Sequence, residues 1–344
     1  MEELETVPVN SNPSEGGQMP ANAAAAGVAA MVQKPGWTEA RRLALKQLDK
    51  LVGQEPKVLR GNRPDAVHAL RVASRRLQEE LDLLYSKPRP PEIRRVRRKI
   101  RRCRGILSGL RNCDVLLART QNHLAASRST RRQAWETVTA FLHERRQALF
   151  SKAVHKLTRI NLPEIYLELR EHLIRPDKSA ASSWNGDGPF EPQAQSHPGP
   201  PLQERLAEEL NRRCDEFERQ AGKANQNSGG ESLHPSRIAA KKLRYLIEIA
   251  AEFKMDGSQQ ALNGLKNLQT ILGGWHDLEM SEIMLTEIVG NAKFIRDNLA
   301  RAPWILRLIE QERKSKERLK HKAMEVLQKA VSDGAVRAWI NSLQ

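Results

Sequence analysis

Two short stretches hold the side chains best suited to chemistry. From Val67, the order Val-His-Ala-Leu-Arg-Val-Ala-Ser-Arg-Arg-Leu puts His68, Arg71 and Arg75 on one face of a helix, opposite Leu70, Ala73, Leu77, Leu81 and Leu84. From Leu233, the order Leu-His-Pro-Ser-Arg-Ile-Ala-Ala-Lys-Lys-Leu-Arg repeats the arrangement 166 positions later. His234, Arg237, Lys241 and Arg244 take the cationic face, and Ala239, Leu243, Leu246, Ile247 and Ala250 the apolar one. An imidazole followed by cations one turn apart suits donation to phosphate oxygens. Arg offers a rigid fork and Lys a mobile point charge, at a spacing of roughly 5–6 Å from turn to turn. A repeat that keeps both faces indicates a duplicated unit.

A third basic stretch lies between them. Ile93, Val96, Ile100, Cys103 and Leu107 form a buried-type stripe, and between them lie Arg94, Arg95, Arg97, Arg98, Lys99, Arg101, Arg102 and Arg104. Like charges one turn apart destabilise an isolated helix, so the packed stripe and a bound anion together are expected to offset them.

Catalysis finds no residues to stand on. No second His lies three or four positions from His68 or His234, and neither has a carboxylate within one turn ahead, so a metal reading is unsupported. There is no G-x-x-x-x-G-K-[ST], G-x-G-x-x-G or G-x-S-x-G, and no carboxylate pair placed to hold magnesium. No catalytic residue, metal ligand or cofactor is therefore expected. A second repeated element, Arg111-Asn-Cys-Asp114 and His276-Asp-Leu-Glu279, reads as structural: an acid or amide that caps a helix and pairs with a neighbouring Arg.

The 344 residues carry 57 Lys and Arg against 41 Asp and Glu, a formal charge of +16, which points to a polyanionic partner. Aromatics are only 4%, which argues against bases stacked on aromatic rings. Three cysteines without C-x-x-C spacing imply neither a disulfide framework nor a zinc cluster. Glu2, Glu3 and Glu5 stand where a signal peptide would be basic, and the Ala-rich run to Val32 is too short to span a bilayer. A soluble, cytoplasmic protein without membrane contact is expected.

The elements that must position these residues all read as helices. Residues 1–35 are expected to be a disordered tail. Helices are expected from a Thr38 cap until Gly53 and Pro56 break the pattern, from Pro64 through His68, after the Pro-rich break at 87–91, and from about Leu110, with Asp114 near a terminus. Further helices are expected over 130–157 and 162–174. Residues 176–201, rich in Ser, Gly and Pro, read as a linker between halves 36–175 and 202–344. In the second half, helices are expected over 202–220, from a Ser232 cap through His234, over 261–272 up to a break at Gly273-Gly274, from Trp275, and from Pro303 toward Val331, followed by a short one.

Taken together, these segments resemble the CHAD domain, the conserved histidine α-helical domain. The resemblance rests on Ala66 to Leu77, Leu110-Arg-Asn-Cys-Asp-Val-Leu-Leu, Leu233 to Tyr245 and Leu265-Lys-Asn-Leu-Gln-Thr-Ile-Leu-Gly, in the family's order. It implies an all-α fold of two pseudo-symmetric antiparallel four-helix bundles around a basic groove or pore. It further implies binding of inorganic polyphosphate and recruitment to polyphosphate granules. By position, His68, Arg71, Arg75 and Arg76 would serve in the first half, and His234, Arg237, Lys241, Lys242 and Arg244 in the second. Arg97, Arg101 and Arg104 join them as candidates from the basic stretch. Pro235-Ser236, Gln78 and Asn112 depart from the usual pattern of the family. The competing reading, from charge alone, is a nucleic-acid-binding helical protein, which lacks a recognisable helix-turn-helix or stacking platform.

Overall fold

Hydrophobic spacing of three and four residues governs every segment of the computed structural model, which describes residues 36–61, 63–174, 200–226 and 233–343. Among the described residues there are helices and no strand. The first half holds α1 (Trp37–Gly61), α2 (Pro64–Leu84), α3 (Pro91–Ile106), α4 (Ser108–Ala126), α5 (Ser129–Thr158) and α6 (Leu162–Ile174). The second holds α7 (Leu202–Gln226), α8 (Leu233–Glu252), α9 (Ser258–Val289), α10 (Ala292–Asp297), α11 (Ala302–Ser332) and α12 (Ala335–Asn341). The expected tail, residues 176–199 of the expected linker and the Ser232 cap lie outside the described residues.

Pro64 and Pro91 open α2 and α3 at positions where the missing amide costs nothing. Three expectations need correction. α1 begins at Trp37, one residue before the expected cap, and runs through both Gly53 and Pro56. Leu43, Ala44, Leu48, Leu51 and Val58 are buried on either side of that pair. Burial of each large side chain is worth about 1.5–3 kcal/mol, enough to carry the helix past two weak formers. Likewise α9 does not stop at Gly273-Gly274, because Leu268, Leu272, Trp275 and Leu278 are buried before and after them. Glycine costs about 1 kcal/mol in a helix, less than those contacts supply. Asp114 lies inside α4 rather than near its terminus, buried against Arg146 of α5.

Helix contacts recur in the same order along the two halves. α1 packs on α2 and α6, and α7 packs on α8 and α12; α4 packs on α5, and α9 on α11. Two apolar clusters result. The larger takes in Leu48, Leu77 and Ile100 together with Leu210, Leu246 and Leu272. The smaller joins Cys113, Trp135 and Leu142 to Met284, Ile288 and Ile305. Both draw on residues from each half of the sequence. α9 contributes to the first up to Trp275 and to the second from Met284. The segment between carries His276, Asp277, Glu279 and Glu282, and α9 packs on α4 and α8.

Candidate functional site: a cationic cleft between α2, α4, α8 and α9

A cleft of about 330 Å³ opens along α9 between Gln269 and Ser281. α2 supplies His68, Arg71 and Arg75; α4 supplies Arg111 and Asn112; α8 supplies Arg237 and Lys241; α9 supplies Gln269, Gly273, His276 and Asp277. The apolar faces of these helices are pinned by Leu70, Leu77, Leu110, Leu243 and Leu272, all buried, so the opposite faces must converge on the cleft. Five cations surround one carboxylate, Asp277.

Their partners set these cations apart. Arg75, Arg111, Arg237 and Lys241 have no ion pair among the described residues. Two buried donors on the cleft wall, Arg237 Nε and Gln269 Nε2, lack an acceptor among them as well. A buried donor left unsatisfied costs about 1–3 kcal/mol, so the ligand-free wall is an unfavourable arrangement. Arg71 is anchored: its Nη1 donates to the Arg104 carbonyl at 2.5 Å and to Ser108 Oγ at 2.9 Å.

Burial and crowding act on the charges in one direction. Lys241 is pushed down to about 7, first by burial and then by Arg237, Arg75 and Arg244, with Asp277 opposing weakly. Arg71 is lowered to about 10 by burial and by Arg75, Arg104 and Arg111, and remains charged at neutral pH. Burial, followed by Arg111, Arg71 and Arg75, lowers His68. Such a site favours the entry of negative charge, which opposes each of these shifts.

The other candidates lie elsewhere. Arg76 donates to Glu248 at 3.1 Å, and Arg244 pairs with the same carboxylate at 3.2 Å while lying over the Tyr245 ring. Arg97 is paired with Asp82, and Arg104 donates to Gln78 Oε1 at 2.6 Å. Arg101 is exposed on α3, and the charge of Lys242 acts on Glu79 and Glu216. His234 does not line the cleft. It sits beside His276, with ring centroids 5.4 Å apart, and His276 Nδ1 is 3.4 Å from Glu279 Oε2. One donor atom from each of these three lies within 4.8 Å of the others. Burial, then His276 and Arg237, lowers His234.

Sequence reasoning passed over Arg111, Gln269 and His276 as parts of the cleft. The repeated Arg111-to-Asp114 element was the available signal, but it was read as a helix cap paired with an Arg, and Asp114 makes the pair without capping a helix. Asp114 pairs with Arg146, whereas Arg111 faces the cleft.

A family model described as CHAD domain matches residues 42–286, the greater part of the chain. No curated protein matches the sequence. Among solved structures, the CHAD domain from the plant Ricinus communis aligns with a TM-score of 0.59 at 20% identity, covering 85% of this chain and 92% of that one. PptA from Streptomyces chartreusis aligns with a TM-score of 0.53 at 14% identity, covering 87% and 99%. At these identities the two structures speak for the fold.

Proposed function

This chain belongs to the CHAD domain family, and from that premise we propose that it binds inorganic polyphosphate in the cationic cleft and is thereby recruited to polyphosphate granules in the cytoplasm. Binding, without turnover, is the activity. The two sequence halves act as pseudo-symmetric four-helix bundles that meet at the cleft, α2 and α4 supplying one wall and α8 and α9 the other.

The observation that carries this reading is that Arg75, Arg111, Arg237 and Lys241 face one space without an ion pair among the described residues, while Arg76, Arg97 and Arg244 outside it are paired with carboxylates. A linear phosphate chain offers one charge after another and no bases to read. Guanidiniums would hold it by charge-assisted hydrogen bonds, and release of counterions would supply much of the affinity, by analogy with DNA.

The test is a titration of long-chain polyphosphate against the wild type and an Arg75→Ala, Arg237→Ala, Lys241→Ala triple variant. With each lost charge-assisted contact worth about 1.5–3 kcal/mol, affinity is expected to drop by ~100-fold or more, with a shallower salt dependence. Equal affinity in both proteins refutes the reading. Nucleic acid that displaces polyphosphate at equal phosphate concentration refutes the assignment of the natural ligand.

A further inference from the structure

A pocket of about 450 Å³ lies between α1, α2, α8 and the first turns of α9, and shares no lining residue with the cationic cleft. Leu43, Ile249, Leu262 and the ring of Tyr245 give it an apolar body. Glu80 of α2 belongs to that lining while only 5% exposed, and its Oε2 has no hydrogen-bond partner among the described residues. A buried polar atom without a partner disfavours the ligand-free fold, so it marks a place where a donor is gained on binding.

The other carboxylates of the pocket are already matched. Glu248 is held by Arg76 at 3.0 Å and by Arg244 at 3.2 Å, and Glu252 meets Lys46 at 3.4 Å. The unmet demand is for a hydrogen-bond donor at Glu80.

We propose that this pocket binds a primary amine with an apolar body, its ammonium donating to Glu80 and its carbon chain lying against Leu43, Ile249 and Leu262. Gln47, buried in the same lining, supplies an amide oxygen for a second N–H of the ammonium.

Charge balance favours an ammonium over a neutral donor. Burial pushes the Glu80 carboxyl up to about 8, with Glu252 acting in the same direction and Arg76, Lys50 and Lys46 pulling more weakly the other way. At neutral pH the carboxyl therefore already holds one proton. An ammonium that takes the place of this proton adds no net charge beside Arg76, Lys46, Lys50 and the exposed Lys254, and the displaced proton passes to solvent. The exchange gives the ionised carboxylate a charge-assisted hydrogen bond, the stronger kind. An anion would instead meet Glu80, Glu248 and Glu252 together.

Calorimetric titration of the full-length protein with hexylamine, hexanol and hexanoate at pH 7 tests the pocket. Hexylamine is expected to bind at one site per chain and to release close to one proton, read from two buffers of different ionisation enthalpy. Below pH 7 its affinity should fall about tenfold per pH unit, because the proton then competes. Hexanol should bind more weakly by ~10-fold or more without releasing a proton, and hexanoate should not bind. Glu80→Gln keeps the shape and the neutrality of the protonated side chain. It is expected to lower hexylamine affinity by ~10-fold or more and to abolish proton release, with wild-type helicity by circular dichroism. Glu310→Gln, at an exposed acid on α11, should change neither. No saturable binding of hexylamine by the wild type overturns the proposal, as does binding without proton release or binding undiminished in Glu80→Gln. Equal affinity for hexylamine and hexanol overturns the choice of an amine. Should Glu80→Gln lose helicity, the proton release and pH profile of the wild type decide alone.

Discussion

Arg111 and His276 stand at matching places in the duplicated sequence, and both line the same cleft, one from α4 and the other from α9. The site is therefore built from equivalent positions of the two halves but with unequal chemistry. Its positive charge is weighted toward α2, α4 and α8.

Charge in the cleft should matter more than charge as such. Arg75→Ala and Arg237→Ala, measured singly, are expected to weaken polyphosphate binding about tenfold each, whereas Arg76→Ala and Arg244→Ala, which share Glu248, should stay within about twofold. Fluorescence anisotropy with end-labelled polyphosphate reads the difference. Equal losses across the four variants would show that net charge, rather than the cleft, governs binding.

Lys241 links binding to protons. In the free protein it titrates near 7, well below an ordinary Lys, so at pH 8 it is mostly neutral; a bound phosphate chain raises it again and draws in a proton. Affinity should rise as pH falls from about 9 to 7. Calorimetry in two buffers of different ionisation enthalpy should report proton uptake in the wild type at pH 8 and almost none in Lys241→Met. The same depression makes the free fold gain stability as pH rises from about 7 toward the unfolded-state value of Lys, because the unfolded chain then holds the extra proton.

Glu80, on the far side of α2, gives a stability effect of the opposite sign. It is 5% exposed, its Oε2 has no hydrogen-bond partner among the described residues, and burial pushes its carboxyl up to about 8 against the weaker pull of Arg76. Between pH 4.5 and 8 the native state holds a proton that the unfolded state releases, so stability should fall as pH rises through that window. Urea denaturation should show this decline in the wild type and a flatter profile in Glu80→Gln. An identical pH dependence in the two proteins would exclude Glu80 as its source.

Much of the site was legible because helical periodicity fixes which side chains share a face. The faces of α2 and α8 could be drawn from residue order alone, and His68, Arg71, Arg75, Arg237 and Lys241 do meet in one cleft. What residue order does not encode is the long-range partner. Arg76 and Arg244 resemble Arg75 and Arg237 until Glu248 is brought between them, and Arg97 resembles Arg101 until Asp82 arrives from α2. Arg111 and His276 were read as structural because their role depends on which side of α4 and α9 is left open by packing. The expected breaks at Pro56 and Gly273-Gly274 failed for a related reason: local propensity is worth about 1–3 kcal/mol, and burial on both sides outweighs it.

Gly273 adds a steric consequence to the continuous course of α9. A Cβ at that position would meet no heavy atom within 4 Å, although the residue borders the cleft, whereas a Cβ at Gly274 would come within 3.1 Å of Leu319. A methyl group at Gly273 is accommodated and stiffens the helix. A leucine there would project into the volume a phosphate chain needs, and would obstruct its passage with every positive side chain still in place.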